Sequence, residues 1–267
     1  VLENRELLKN VSAERLYTEL IKLLMGRNVF DILSEYREVI AVFIPEIRAI
    51  FDYSQHTKWH IYDAWLHTCK SVEQAPDDEV IRLIMLLHDI GKPYSHQVDE
   101  NGVDHFKGHQ AISWELASPV LKRLKVSNAV YERAEAVIPI HDAHIGTNRK
   151  NIKKWLARLG EQSFFDLTQV KRADKLAQNT ELIGEELERL DFTEALAREI
   201  IEEGEAVTVR QLAIHGNDLI ALGLEGRAIG ELLDIMLDAV ISEELPNTKE
   251  SLLDFAKKHL QKNEKST

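Results

Sequence analysis

Apolar residues recur at spacings of three and four along almost the whole chain, the period of helices that bury one face. Behind Ser12, a favourable N-cap residue, Leu16, Leu20, Leu23 and Leu24 form the stripe of a first helix that Gly26 ends. A second helix is predicted from Val29 to Val42, with Ile32, Leu33, Tyr36, Val39 and Ile40 inward, before Pro45 breaks the pattern. A helix from His60 to Val72 places Ile61, Trp65, Cys69 and Val72 inward. Pro76-Asp77-Asp78 caps the next one, whose apolar run ends in His88-Asp89-Ile90-Gly91-Lys92-Pro93, with Gly91 and Pro93 as stop signals. Between Ser95 and Phe106 alternation replaces the helical period, and Asn101-Gly102 at its centre is a favoured hairpin turn pair. Helices resume at 109–125, 128–140, 150–159 and 164–177. An acidic helix or helix pair follows at 181–203, then glycine-punctuated segments at 209–222, 229–241 and 249–260 and a polar tail expected to fray. The expected fold is all-α: a helical bundle with one small β-hairpin, divided into an opening module of helices (1–50), a central domain (51–180) and a C-terminal helical domain (181–267).

Composition narrows the class. The 267 residues are 44% hydrophobic and 29% charged, which suits a globular protein and argues against disorder or a collagen-like chain. Cys69 is the single cysteine, so no intrachain disulfide and no Cys-x-x-Cys metal site can form. No apolar run reaches the length of a membrane span and no signal-peptide pattern opens the chain, so a cytoplasmic protein without a membrane partner is expected. The formal net charge of −12 argues against non-specific coating of nucleic acid. The charge is uneven, however: 181–205 carries ten acids and two arginines, whereas 147–158 carries Arg149, Lys150, Lys153, Lys154 and Arg158 and no acid. Arg149, Lys150, Lys153 and Lys154 are therefore the candidate phosphate- or RNA-binding residues.

The candidate chemistry lies in the histidines. Seven of the eleven fall between His67 and His144, and His88-Asp89 closes a half-buried helix. An aspartate and an imidazole delivered into an apolar pocket are costly unless paired or bound to metal. Asp174, flanked by Ala173 and Leu176, needs the same explanation. His67, His88, Asp89 and Asp174 make a mixed nitrogen and oxygen ligand set suited to Mn, Fe, Co, Ni or Zn rather than Mg. His109 and His141 are candidates for a second ion with Asp89 bridging; His105 and His144 are weaker ones. Asp89 and, one turn further on, Lys92 are the candidate catalytic residues. His56, His60, His96, His215 and His259 are assigned no role, and Trp65 and Trp114 read as core.

The ordered set His67, His88-Asp89-Ile-Gly-Lys-Pro, His105-Phe-Lys-Gly-His109 and Ala-Asp174 resembles the HD superfamily of metal-dependent phosphohydrolases. The opening Ser-Ala-Glu-Arg helix with Leu-Leu-Met-Gly, and the closing Leu212-Ala-Ile-His-Gly-Asn-Asp-Leu219, Gly226, Ile229-Gly230 and Asn247, resemble the neck, body and tail of bacterial tRNA nucleotidyltransferases, the CCA-adding enzymes. The resemblance runs from about Ser12 to Leu260. That family's polymerase head carries a Gly-Gly turn and an Asp-x-Asp pair, and neither occurs in this sequence. The resemblance implies a divalent-metal phosphohydrolase of phosphatase or 2′,3′-cyclic phosphodiesterase type, acting on nucleotides or tRNA 3′ ends, with Asp89 orienting the attacking water and Lys92 pairing with phosphate. Two other readings stand beside it. One is the non-catalytic tRNA-binding part of a longer CCA-adding enzyme with a nucleotidyltransferase head; the other is a small-molecule nucleotidase.

Overall fold

A computed structural model describes residues 2–264 of the chain. It is all-α apart from one two-stranded hairpin, as the apolar periodicity predicts. By internal contacts the chain forms two compact units. The first runs up to His144 and includes Gln162–Leu190; the second is Ile145–Glu161 with the residues from Asp191 onward. Among the described residues no helix is long and apolar enough to cross a membrane.

The first unit opens with a 3-10 segment (Leu2–Asn10) and helix α1 (Ala13–Leu24). Ser12 occupies the N-cap position of α1 in extended conformation, but its side chain makes no capping bond. The helix expected from Val29 to Val42 is broken: α2 (Val29–Glu35) and α3 (Arg37–Ile40) meet at Tyr36, whose φ of −104° and ψ of 23° lie outside the helical range. Pro45 starts a 3-10 turn (Pro45–Ile50) that buries Ile47 and Ile50. Helix α4 (Ala64–Gln74) starts four residues later than the sequence suggests, because Asp63 caps it by accepting from the Leu66 amide at 2.8 Å. Asp78 caps α5 (Glu79–Leu87) in the same way, accepting from the Val80 and Ile81 amides.

Helix α5 is the centre of this core: Val80 through Leu87 are all buried. Arg82 is tolerated there because its guanidinium satisfies carbonyls that helix ends leave without partners. It donates to Leu24 O at the end of α1 (2.7 Å) and to Pro76 O (3.1 Å), and pairs with Asp77. The hairpin pairs β1 (Gln97–Val98) with β2 (Asp104–His105), and Gly102 supplies the positive φ of 74° that the turn needs. Helices α6 (His109–Arg123) and α7 (Asn128–Val137) follow, the second capped by Ser127. The helices expected at 150–159 and 164–177 form α8 (Arg149–Leu176), interrupted at Gly160 with φ 73° and ψ 169°.

The second unit holds the start of α8, most of α9 (Gly184–Glu202), α10 (Gly216–Ile220), α11 (Arg227–Ile241) and α12 (Lys249–Glu264). Leu212, Ile214, Leu219, Leu232, Met236, Leu252 and Ala256 form its core. Asn247 ties the unit together by accepting from the Ala213 amide (2.8 Å) and donating to Gln211 O (3.0 Å). The tail expected to fray from Gln261 is helical through Glu264, and 265–267 lie outside the described residues.

Candidate metal centre

Within the first unit, five elements deliver six side chains to one place. His67 comes from the middle of α4, and His88 and Asp89 from the C-terminal end of α5. His109 opens α6, His141 follows a 3-10 turn (Ile138–Ile140), and Asp174 lies in the last turn of α8. His67, His88 and Asp89 are at most 1% exposed. The His67 Nε2 atom lies 2.9 Å from Asp174 Oδ1 and 3.5 Å from Asp89 Oδ2. His88 Nε2 lies 3.2 Å from Asp89 Oδ2 and 3.6 Å from Asp174 Oδ1. On its other side Asp89 Oδ1 faces His109 Nε2 at 3.2 Å and His141 Nε2 at 3.7 Å. Two groups of donor atoms result, His67, His88, Asp89 and Asp174, and Asp89, His109 and His141. Within each, all the donor atoms lie within 4.8 Å of one another.

Three of the imidazoles are oriented by one repeated device. His88 Nδ1 donates to Met85 O (2.7 Å), His109 Nδ1 to Phe106 O (2.7 Å) and His141 Nδ1 to Ile138 O (2.8 Å). A carbonyl only accepts, so each Nδ1 carries a proton, and a ring in its neutral form turns a bare Nε2 lone pair inward. His109 Nε2 and His141 Nε2 are then 3.2 Å apart, lone pair against lone pair. His88 Nε2 is buried without any hydrogen-bond partner among the described residues, and Asp89 Oδ2 has the Lys92 ammonium as its ion-pair partner. Acceptors crowded in this way require positive charge between them. As a proton, that charge falls on His88: burial opposes it, but Asp89 and Asp174 outweigh burial and lift the imidazole to about 10. Against the cost of burial, His88 and Lys92 hold Asp89 well below the usual carboxylate range, and His67 and His88 do the same for Asp174. The donor set and the orphaned His88 Nε2 fit a divalent transition ion.

Around the cluster lie Lys92, a candidate from the sequence, and Gln55, His60 and Gln178, which sequence reasoning missed. Lys92 is buried, with its ammonium 2.5 Å from Asp89 Oδ2, 2.8 Å from Gln55 Oε1 and 3.5 Å from His60 Nε2. His60 packs edge-on against His67 at 5.2 Å, and burial, reinforced by Lys92, pushes its imidazole down to about 3. Gln178, one turn beyond Asp174, donates to its Oδ2 at 3.0 Å. That i, i+4 spacing was a readable signal, whereas Gln55 and His60 sit in irregular backbone that has no period. The cluster floors a cavity of about 550 Å³ whose walls include Trp59, His60, Phe106, Lys107 and Lys175. His105 lies on the cavity wall, paired with Asp99 at 3.0 Å, and His144 is exposed; neither belongs to the two donor groups.

The basic stretch lies in the second unit and meets carboxylates there. Arg149 pairs with Glu199, Glu203 and Glu205, Lys153 with Glu205 at 2.8 Å, and Lys154 lies 3.8 Å from Asp238.

Gly91 fixes the spacing of the two donor groups. Its amide donates to Ser113 Oγ (2.9 Å), and a Cβ there would stand 2.5 Å from both His109 O and the Ser113 amide nitrogen. Both clashes are with backbone, so Gly91→Ala should destabilise the unit by about 3 kcal/mol, the upper end for overpacking. The check is the urea midpoint, and an unchanged midpoint would contradict the tight approach of α6 to this turn.

Comparison with known proteins places these residues in context. The family model for tRNA nucleotidyltransferase domain 2 matches residues 109–256. A model described as "Probable RNA and SrmB- binding site of polymerase A" matches residues 1–50. A CC-adding tRNA nucleotidyltransferase of Thermus thermophilus is 30% identical over 256 residues, 91% of this chain and 56% of its own length. An A-adding tRNA nucleotidyltransferase of Deinococcus radiodurans is 28% identical, covering 73% of this chain and 46% of its own length. A Multifunctional CCA protein of Tolumonas auensis is 30% identical over 50% of this chain and 33% of its own. The chain thus spans about half the length of the first two relatives. These similarities overturn the phosphohydrolase expected from the His-Asp motif, since the nucleotidyltransferases named here are transferases. The physical reason is plain: a ligand set specifies where a cation sits, not which reaction proceeds beside it.

Proposed function

We propose, from the premise that this chain belongs to the tRNA nucleotidyltransferase domain 2 family, that it is the tRNA-holding part of an enzyme of the CCA-adding type. The observation that carries the proposal is the similarity to the CC-adding enzyme along 91% of the chain. On this reading residues 1–50, matched by an RNA-binding-site model, and residues 109–256 grip the tRNA body. The step that lengthens the 3′ end belongs to a nucleotidyltransferase head.

The His-Asp cluster supports this role as a structural rivet. His67, His88, Asp89 and Asp174 would hold one divalent ion, and Asp89, His109 and His141 a second. The ion would supply compact positive charge to acceptors that otherwise repel one another. Asp89 belongs to both groups, so it couples α4, α5 and α8 to the start of α6 and the turn at His141. His88, His109 and His141 are preset for this by their Nδ1 bonds. Lys92, held by Gln55, balances the charge on Asp89 from within the protein.

The test is tRNA binding followed by fluorescence anisotropy at two salt concentrations. A tRNA transcript lacking its terminal CCA should bind, and affinity should fall at least tenfold between 50 and 200 mM salt, because phosphate contacts release counterions. No binding at low salt, or equal binding to an unstructured RNA of the same length, would refute the proposal.

A further inference from the structure

The segment 51–62, between the Pro45–Ile50 turn and α4, crosses one side of the cavity as a strap without regular structure. Thr57, Trp59 and His60 line the cavity from the strap, and Asp104, His105, Phe106 and Lys107 line it from the hairpin side. Within itself the strap is a small turn: His60 Nδ1 lies 2.7 Å from Thr57 Oγ1, and the Thr57 amide donates to Gln55 O at 2.9 Å. Its far end is fastened to the core by the Asn179 amide, which donates to Trp59 O at 2.8 Å.

One carboxylate fastens its near end to the hairpin. Asp104 Oδ2 accepts from the His56 amide at 2.7 Å and from His56 Nδ1 at 3.1 Å. Asp104 Oδ1 accepts from His96 Nε2 at 2.8 Å, and the Asp104 amide donates back to His56 O at 3.3 Å. The Asp104 side chain is 3% exposed although the hairpin around it faces solvent and His56 is 72% exposed. A carboxylate buried at a rim, accepting three donors from two elements, is more than a turn residue needs. The strap also carries Gln55, which holds Lys92, and His60, which packs on His67. Movement of the strap therefore uncovers the His-Asp cluster.

We infer that Asp104 is the clasp of a strap over the cavity, a positioning residue that sets how readily residues 53–60 lift and admit a solute to the buried donor atoms. The clasp joins two walls of the cavity while the donor groups on α4, α5, α6 and α8 stay where their own helices hold them. Opening is then local, a low-energy excursion of one irregular segment rather than unfolding of the unit. The inference rests on the metal reading only for the identity of the solute, since the strap and its clasp are defined by their own bonds.

The full chain with Asp104→Asn tests it in two ways. Hydrogen exchange of the amides at 53–60 should speed up about tenfold to a hundredfold, because charge-assisted bonds are lost, while amides of α5 and α8 keep their protection. Co2+ loaded into the protein and extracted by a chelator should leave about tenfold faster, with loading faster to match and little change in equilibrium affinity. His96→Ala keeps Asp104 and frees only its Oδ1, so it should give the same pattern at smaller amplitude. Exchange at 53–60 unchanged in both variants would overturn the clasp. So would loss of protection throughout the unit, which would make Asp104 a staple of the whole fold. If the wild-type chain takes up no metal, the metal reading fails and the exchange result alone still decides the clasp.

Discussion

Saturating Zn2+, Co2+ or Mn2+ raises the unfolding midpoint of the metal-binding unit, and His88→Ala abolishes the rise. An ion present at a hundred times its dissociation constant stabilises the folded form by about 2.7 kcal/mol. For a domain of this size that is a rise of roughly 5–11 °C. Removing His88 removes a donor whose Nε2 has no hydrogen-bond partner among the described residues and is free to ligate. The substitution also leaves a cavity where a fully buried ring stood, so the metal-free variant itself melts lower. The informative quantity is the difference with and without ion in each protein, read by calorimetry and by titration of ion into metal-free protein. Asp174→Asn should lose most of the shift as well, because it removes the charge that His67 and His88 both face. His144→Ala, on the surface, should keep the full shift. A shift that persists in both His88→Ala and Asp174→Asn would mean that the ion binds elsewhere.

The order of motifs made much of this site legible. His67, His88, Asp89 and Asp174 lie 107 positions apart at their extremes and converge as their sequence context suggested. His88-Asp89 was readable because it ends an apolar helix, and Asn101-Gly102 and Gly160 were readable as a turn and a break. Other features depend on partners distant in sequence. The apolar spacing runs through Tyr36 without interruption, so nothing local signals that the backbone turns there into separate helices. Arg149, Lys153 and Lys154 look like uncompensated cations only until Glu199, Glu203, Glu205 and Asp238 fold against them. Gln55 and His60 belong to the strap, where no hydrophobic period orients a side chain, and the alternation that predicts the hairpin does not reveal that Asp104 meets His56. Their roles emerge only from contacts with Lys92, His67 and His56.

Truncating Arg133 should cost the first unit about 3–5 kcal/mol, measured by urea unfolding. On α7, its Nε and Nη2 donate to the two oxygens of Asp166 on α8 at 2.7 and 2.8 Å, and Nη2 also reaches Asp78 at 3.0 Å. Asp166 is 1% exposed, so Arg133→Ala strands a buried carboxylate that keeps the Gln162 amide as a donor but no cation from Arg133. The expense lies in that stranded charge rather than in the pair. Arg133→Met with Asp166→Leu, which removes both charges and puts apolar side chains in their place, should therefore recover most of the loss. A single variant costing under about 1 kcal/mol would show that the pair is dispensable. A double variant no better than the single would show that packing of the arginine stem, not charge, is what matters. The position of the pair adds a second readout. Asp78 caps the start of the helix that ends in His88, and Asp166 lies two turns before Asp174 on α8. Arg133 thus clamps one end of the two helices whose other ends carry the metal donors. Arg133→Ala should weaken metal binding without touching a ligand, and the double variant should restore it.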